Sequence, residues 1–229
     1  MPLCSAVPGM RGERTTAVFD MDGVLVDSGN LHREAWRRLC QEEGVPLEDP
    51  EFWRFTIGRR TEEALPVILG RPLEPEERVR LTTRRIALYH ELLQKQTVPV
   101  PGVTTFLNDL RIRGVACGLA TAALPISVNV TLDALGLADA FAARVTSADV
   151  ACGKPDPEVY RVAARRLGVP PGDCVAFDDA PVGIKAARAA GMAVVGLATG
   201  HTPSELIAAG ADMAIRDFLA IGWSEVSKL

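Results

Sequence analysis

The spacing of hydrophobic residues changes twice along the chain. A short apolar, strand-like run ends at Phe19 and is followed by a stretch in which apolar residues recur at helical spacing. The helices predicted there cover residues 30–44, 59–70 and 75–96, with no strong strand between them. From residue 101 onward, short apolar segments alternate with helical ones. The pattern therefore predicts an all-helical segment inserted after the first strand of an α/β fold.

The alternating part of the chain predicts a parallel sheet with helices on both of its faces. Right-handed crossovers are expected between its strands, whereas the sequence does not reveal the strand order. Polar clusters follow the strands that end near Phe19, Ala120 and Phe177, where ligand sites of such sheets form. The predicted strands cover residues 115–121, 141–147, 174–179 and 193–199, and the predicted helices cover 103–114, 126–137, 156–168 and 181–191.

Composition narrows the class of protein. Nearly half of the 229 residues are apolar, and the net charge of −4 argues against a sequence-independent grip on nucleic acid. The five cysteines are scattered and form no CxxC pair, which is typical of reduced thiols in the cytosol. Apolar runs of the roughly 18 residues that span a membrane are absent, and the N-terminus lacks the pattern of a signal peptide. We therefore predict a cytoplasmic protein without a nucleic-acid or membrane partner, and take a monomer as the default because the sequence does not reveal the oligomeric state.

The segment "TAVFDMDGVLVDS" places Asp20 and Asp22 directly after the first predicted strand. Side chains two positions apart in an extended segment share a side, with Cα atoms about 6.6 Å apart. Two acids on one site can divide the labour of nucleophile and acid/base. The alternative is a turn whose aspartates cap a helix, and these two residues alone do not decide between the two interpretations.

Thr121 and Lys154 follow later strands. The Thr121 hydroxyl and neighbouring backbone N–H groups can hold an oxyanion where a helix begins, although an isolated threonine there is more often only a helix cap. Lys154 is one of four lysines and lies in a Gly–Pro loop before a helix. A lysine is ordinarily a solvent-exposed residue; the alternative here is a point charge for a phosphoryl oxygen.

Paired acids end the strand "CVAFDD". Adjacent like charges at Asp178 and Asp179 repel one another unless a cation lies between them, and hard carboxylate oxygens suit Mg²⁺. A helix cap with one spare acid is the alternative. Hydrolysis of a phosphate monoester is very slow without a catalyst and demands neutralisation of much negative charge, which these four clusters together can supply.

The four motifs, in this order and spacing, resemble those of the haloacid dehalogenase superfamily, with "DMDGVLVDS" the most specific. The resemblance implies a Rossmann-like three-layer core over residues 1–28 and 99–229 and a helical cap domain over residues 29–98. It implies an aspartyl-phosphate mechanism in which Asp20 attacks phosphorus and Asp22 serves as acid and then base. Thr121 and Lys154 would bind phosphoryl oxygens, and Mg²⁺ would lie on Asp20, the Asp22 carbonyl and the Asp178/Asp179 pair.

The closest resemblance is to β-phosphoglucomutase and its sugar-phosphatase relatives. The substrate contacts that it implies are His32, Gly58, Arg59, Arg60 and Arg85 in the cap, with Thr121, Ala122 and Lys154 in the core. Trp36 is a further matching position, for which a place in the cap core is the simpler expectation.

Several positions depart from the family pattern. Asp178 stands where Glu is usual, Ala180 replaces a common Ser, and Thr61 replaces the cap arginine of the mutase. The mutase also has a small residue, Lys and Asn soon after the Thr121 position, where this chain has Ala, Leu and Pro. We therefore predict a Mg²⁺-dependent phosphatase of a small phosphorylated metabolite, with β-phosphoglucomutase as the alternative and a weakly catalytic phosphometabolite sensor as a third.

Overall fold

The architecture is that of a computed structural model, which describes residues 13–45 and 55–229. The strands are β1 (Thr16–Phe19), β2 (Ala116–Ala120), β3 (Ala143–Val145), β4 (Cys174–Asp178), β5 (Ala193–Leu197) and β6 (Met213–Ile215). The helices are α1 (Gly29–Glu42), α2 (Thr61–Ile68), α3 (Pro75–Leu93), α4 (Val103–Ile112), α5 (Pro125–Leu135), α6 (Glu158–Leu167), α7 (Pro181–Ala190), α8 (Pro203–Ala209) and α9 (Trp223–Val226). The start of the predicted core, residues 1–12, and residues 46–54 of the predicted cap lie outside the described residues.

All six strands form one parallel sheet in the order β3-β2-β1-β4-β5-β6. This arrangement confirms the predicted α/β fold and supplies the strand order. β1 lies at the centre, where Phe19 is in register with Leu119 of β2 and Phe177 of β4. The chain segments that follow these three strands therefore meet at one edge of the sheet.

Each face of the sheet is covered by its own apolar cluster. Along β1, Ala17 and Phe19 belong to one cluster and Val18 belongs to the other, because successive side chains of a strand point to opposite faces. The rings of Phe19 and Phe177 stack across neighbouring strands with centroids 4.6 Å apart. Helices packed on both clusters complete three layers and hold the central strands rigidly beneath the site.

Helices α1, α2 and α3 share a third apolar cluster, which includes Trp36 and Leu88. The chain leaves the sheet layer and returns to it side by side, because Val26 and Pro99 form an antiparallel bridge. The Asp27 N–H donates to the carbonyl of Val98 over 2.8 Å. This unit lies between β1 and α4 in the chain, and residues 29–98 remain our proposal for its limits.

The sequence analysis predicts no element beyond residue 199, whereas the structure adds α8, β6 and α9. β6 has only three residues, all half-buried, and lies at the edge of the sheet beyond β5. A strand this short leaves no apolar run for a sequence pattern to detect. Among the described residues, a search for helices with the length and hydropathy of a membrane span finds none.

Candidate active site

The segments that follow the three central strands bring the predicted core residues together. Asp20 follows β1, Thr121 follows β2, and Asp178 and Asp179 lie at the end of β4. The Asp20 N–H donates to the Phe177 carbonyl over 2.9 Å, which ties the first acid to the neighbouring strand. Lys154 enters the same place from the loop before α6.

Lys154 is buried between two carboxylates and is 2% exposed. Its Nζ lies 3.0 Å from Asp20 Oδ2 and 2.7 Å from Asp178 Oδ2. Burial by itself would lower the pKa of Lys154, but the charges of Asp178 and Asp20 raise it above its usual value, so the ammonium stays charged. The expectation of an ordinary surface lysine is therefore wrong.

Three acids form a cluster that fits a divalent cation. Asp20, Asp178 and Asp179 each offer an oxygen, and these oxygens lie within 4.8 Å of one another. Asp20 Oδ1 is buried and has no hydrogen-bond partner among the described residues, as expected of a ligand oxygen. Burial raises the pKa of Asp20 to about 7, against the opposing charge of Lys154, and burial likewise raises that of Asp179. A cation would stabilise both groups as carboxylates, and hard oxygens of this kind suit Mg²⁺.

The structure explains why the first motif contains a glycine at position 23. A Cβ atom at this position would lie 2.1 Å from Asp179 Oδ2, and the backbone φ is +71°. The turn therefore needs a residue without a side chain and with access to positive φ. The Thr199 hydroxyl donates to the Gly23 carbonyl over 2.8 Å and fixes the turn against the end of β5.

Three side chains hold Asp22 by a single oxygen. Its Oδ1 accepts hydrogen bonds from Ser28 Oγ at 2.7 Å and Tyr89 OH at 3.1 Å, and it lies 2.8 Å from His32 Nε2. Burial alone would raise the pKa of Asp22, but His32, Ser28 and Tyr89 together hold it well below its usual range. Asp22 is thus an ionised carboxylate in this arrangement.

The partners of Asp22 come from the cap. The rings of His32 on α1 and Tyr89 on α3 stack with centroids 4.2 Å apart. Arg85 lies behind His32, and burial lowers the pKa of its guanidinium to about 10. Burial also lowers the pKa of His32. The predicted cap contact His32 thus lies directly against Asp22, with Arg85 behind it.

Thr121 and Ala122 line the pocket directly above these groups. The Thr121 N–H donates to the carbonyl of Val145 over 3.0 Å, and its hydroxyl accepts from the N–H of Ala123 over 3.1 Å. The hydroxyl therefore closes a local turn ahead of α5. The Thr121 oxygen keeps its own proton available for donation to an oxyanion.

Gly58 lies at a close contact between the cap and the core. A Cβ atom on Gly58 would lie 2.8 Å from Ala180 Cβ and 2.9 Å from Val182 Cγ2, and its φ is +73°. Small residues are therefore needed on both sides of this contact, which accounts for Ala180. Arg59 follows, lines the pocket and places its guanidinium 4.6 Å from the centre of the Phe55 ring.

Arg60 points away from the pocket, towards the core. Its guanidinium donates to the carbonyls of Ser147 at 3.2 Å, Val150 at 2.9 Å and Ala151 at 3.2 Å. These carbonyls belong to the loop that leads to Lys154. The structure therefore places Arg60 as a bridge between cap and core, and Arg59 as the arginine that faces the pocket.

The pocket between cap and core contains unsatisfied polar atoms. Trp36 Nε1, Thr82 Oγ1 and Arg85 Nε are buried without a hydrogen-bond partner among the described residues, and all three residues line the pocket. Trp36 therefore belongs to the cap cluster, as expected, and also reaches the site. Buried donors of this kind are satisfied when a ligand supplies oxygen atoms.

The sequence reasoning missed two residues of the site. Ser28 was not among the predicted site residues, yet it holds Asp22; its place six residues after that acid gave no signal, because the intervening turn determines the contact. Tyr160 was treated only as part of a helix, yet its hydroxyl lies 2.5 Å from Asp178 Oδ2. Its position six residues after Lys154 at the start of α6 was the available signal.

Comparison with known proteins places this geometry in a family. A family model described as haloacid dehalogenase-like hydrolase matches residues 15–191. Validoxylamine A 7'-phosphate phosphatase of Streptomyces hygroscopicus subsp. limoneus is 35% identical over 215 residues, which cover 92% of this chain and 97% of that protein. The β-phosphoglucomutase of Bacillus subtilis (strain 168) is 31% identical, with coverage of 87% and 88%.

Solved structures share the whole fold. The crystal structure of a β-phosphoglucomutase from Clostridium difficile superposes with a TM-score of 0.83 at 27% identity, over 94% of this chain and 97% of that one. The agreement extends over nearly the full length of both chains and so includes the helices between β1 and α4.

Proposed function

This chain belongs to the haloacid dehalogenase-like hydrolases, and we propose that it is a Mg²⁺-dependent phosphatase that hydrolyses a small phosphorylated metabolite through an aspartyl-phosphate at Asp20. The observation that carries the proposal is the convergence of Asp20, Lys154 and Asp179 at one sheet edge, with Asp22 beside them. This set provides a nucleophile, positive charge and an acid/base group within one buried site.

The first step transfers the phosphoryl group. An oxygen of Asp20 attacks phosphorus, and the bond between phosphorus and the leaving oxygen breaks. Lys154 keeps Asp20 oriented by its contact at 3.0 Å and supplies positive charge close to the transferring group. When the charged phosphate group binds, its like charge raises the pKa of Asp22, which takes up a proton from water and then gives it to the leaving oxygen.

The second step releases phosphate. A water oxygen attacks phosphorus, the bond to Asp20 breaks, and Asp22 accepts the proton of the water. The three donors around Asp22 favour its carboxylate form and so suit this step. Contacts between the cap and the core cover the site and exclude bulk water, which strengthens these electrostatic interactions.

Asp20 and Asp179 are the side chains that would hold Mg²⁺, together with the backbone carbonyl of Asp22 that the family resemblance implies. When bound, the cation supplies charge that neutralises phosphoryl oxygens. The unpartnered Asp20 Oδ1 and the raised pKa of Asp179 support this assignment.

A sugar phosphate or a related polyol phosphate is the substrate class that we propose. The pocket offers the unpaired donors Trp36 Nε1 and Arg85 Nε and the unpaired Thr82 hydroxyl to a leaving group rich in oxygen. The fructose-1-phosphate phosphatase YqaB of Escherichia coli (strain K12), which is 32% identical over 78% of this chain, supports the same class. Monomeric state and cytoplasmic location remain predictions.

β-Phosphoglucomutase is the second candidate, because Arg59 lines the pocket and can contact a second phosphate. Leu124 lines the same pocket and gives it an apolar wall at a position where the mutase pattern has lysine. A mutase must hold two phosphates at once, so the apolar wall favours hydrolysis.

Phosphorus NMR distinguishes the candidates. The protein is given Mg²⁺ and β-glucose 1-phosphate with a trace of the 1,6-bisphosphate, and then a panel of other sugar phosphates. Free phosphate that requires Mg²⁺ and is lost in Asp20→Asn supports the phosphatase. Glucose 6-phosphate without free phosphate means a mutase, and absence of any turnover over the panel means a sensor.

A further inference from the structure

Asp178 and Asp179 are adjacent in sequence but face different surroundings. Asp179 lines the pocket, whereas Asp178 is 0% exposed and lies behind it. Asp178 Oδ2 receives hydrogen bonds from Lys154 Nζ at 2.7 Å and Tyr160 OH at 2.5 Å. Its Oδ1 accepts from the N–H of Ala180 at 3.0 Å. Three protein groups thus donate hydrogen bonds to the carboxylate of Asp178, which the sequence analysis assigned to the metal.

Tyr160 contacts the same ion pair twice. Its hydroxyl binds the carboxylate of Asp178, and its ring centre lies 5.2 Å from Lys154 Nζ. The residue is fully buried on α6, directly after the loop that carries Lys154. One aromatic side chain therefore stabilises both charges and links the helix to the site.

The short side chain of Asp178 explains why the Tyr160 hydroxyl is needed as a hydrogen-bond partner. Asp178 is one methylene shorter than the Glu that the family pattern usually has. Gly183 lies against its carboxylate, since a Cβ atom there would fall 2.0 Å from Asp178 Oδ2. The side chain is thus drawn towards α7 and away from the pocket, and Tyr160 fills the remaining hydrogen-bonding position.

We propose that Tyr160 is a positioning residue that, through Asp178, holds Lys154 against Asp20, so that Asp178 anchors the lysine and leaves Asp20 and Asp179 to face the cation. This inference rests on the proposed phosphatase function for its catalytic consequence. The contacts among Tyr160, Asp178 and Lys154 are independent of it.

Tyr160→Phe removes only the hydroxyl and keeps the buried ring. We expect kcat for p-nitrophenyl phosphate to fall about tenfold with little change in KM, as for loss of one strong hydrogen bond that acts on the transition state. Calorimetric Mg²⁺ affinity without substrate should stay within about twofold, whereas Asp179→Asn should lower it more than tenfold. Thermal unfolding of each variant verifies that the fold persists.

Asp178→Glu gives a coupled test. In the wild-type background the added methylene competes with the Tyr160 hydroxyl for space, so kcat should fall. In the Tyr160→Phe background the longer acid can occupy the space left by the hydroxyl. The kcat of the double variant should therefore be at least threefold higher than that of Asp178→Glu alone. Purely additive losses would overturn the proposal.

An NMR readout is independent of turnover. With only four lysines in the chain and Lys154 buried, its side-chain ammonium should give a slowly exchanging ¹⁵N–¹H signal that shifts in Tyr160→Phe. An unchanged signal, an unchanged kcat, or a loss of Mg²⁺ affinity equal to that of Asp179→Asn would each overturn the proposal. If the wild type hydrolyses no phosphate ester but the signal shifts, the proposed function fails while the positioning contact stands.

Discussion

Arg85 donates a hydrogen bond from Nη2 to Nδ1 of His32 over 2.5 Å. An arginine has no acceptor atom, so Nδ1 of the neutral imidazole carries no proton and the ring proton lies on Nε2. That nitrogen is the one 2.8 Å from Asp22 Oδ1. A residue of the cap therefore fixes the tautomer that donates to the acid/base carboxylate of the core.

Arg85→Met should lower kcat about tenfold, because the methyl thioether cannot fix the His32 tautomer and Asp22 loses an oriented donor. Initial rates against pH measure the effect, and the pH profile should change in shape. Arg84→Met is the matched control, since Arg84 is exposed and pairs with Glu42 on the outer surface of the cap. Equal losses in both variants would mean that Arg85 acts only on cap stability.

Asp20→Asn should abolish turnover and leave the protein folded. The amide is not a nucleophile, and its introduction removes a buried carboxylate whose pKa is raised by burial and by the charges of Asp178 and Asp22. Phosphate release and thermal unfolding are measured together. We expect an unfolding temperature no lower than that of the wild type, and near-normal turnover would disprove the nucleophile assignment.

Lys154→Ala should reduce kcat by about two to three orders of magnitude, as expected when a charge aimed at a transition state is removed. The variant should also lose about 3 kcal/mol of unfolding free energy, because Asp178 would stay buried without its cation. Lys185→Ala, at an exposed position of α7, serves as the control for both measurements. A change of only twofold in kcat would exclude the proposed role of Lys154.

The adjacent arginines of the cap should give different kinetic signatures. Arg59→Ala should raise KM for sugar phosphates about tenfold with kcat nearly unchanged, because this side chain faces the pocket. Arg60→Ala should instead lower kcat and the unfolding temperature, since it removes three hydrogen bonds to the loop that carries Lys154. The same KM effect in both variants would contradict this division.

Asp149 should contribute stability that depends on pH. The hydrogen bond from Arg166 holds the pKa of Asp149 at about 2, below the model-compound value of 3.8. A depressed pKa in the folded state stabilises the protein above pH 3.8, and this contribution is lost as the pH falls towards 2. Asp149→Asn should therefore lower the unfolding free energy at pH 7 by about 1 kcal/mol or less, given the exposure of the pair.

The difference in unfolding free energy between Asp149→Asn and the wild type should decrease steadily below pH 4. Unfolding with urea at a series of pH values measures it. A difference that stays constant down to pH 2 would assign the effect to packing.

The sheet and the core of the site were predictable because both depend on the ends of apolar strands. Phe19, Ala120 and Phe177 mark those ends in the sequence. Parallel pairing brings the residues that follow them together, independently of the conformation of the loops. The family resemblance was confirmed by the comparisons. β6 escaped prediction because three half-buried residues give no periodic signal.

Contacts that depend on rotamers and on packing between cap and core were not predictable. The amino-acid sequence alone does not reveal that Arg59 faces the pocket whereas Arg60 donates to the Ser147 carbonyl. Adjacent residues at the start of a helix point in different directions, and the direction is set by the docking of α2 on the core. The Tyr160 hydroxyl is similar, because an aromatic residue on the buried face of a helix is normally explained by packing alone.

Covalent trapping of the intermediate tests the central claim most directly. The protein with Mg²⁺ and a phosphate ester is quenched in acid within one turnover, reduced with borohydride and digested, so that an aspartyl-phosphate is read as homoserine. The account predicts homoserine at position 20 in the wild type and none in Asp20→Asn. Phosphate release without modification of Asp20, or modification of another acid, would contradict it.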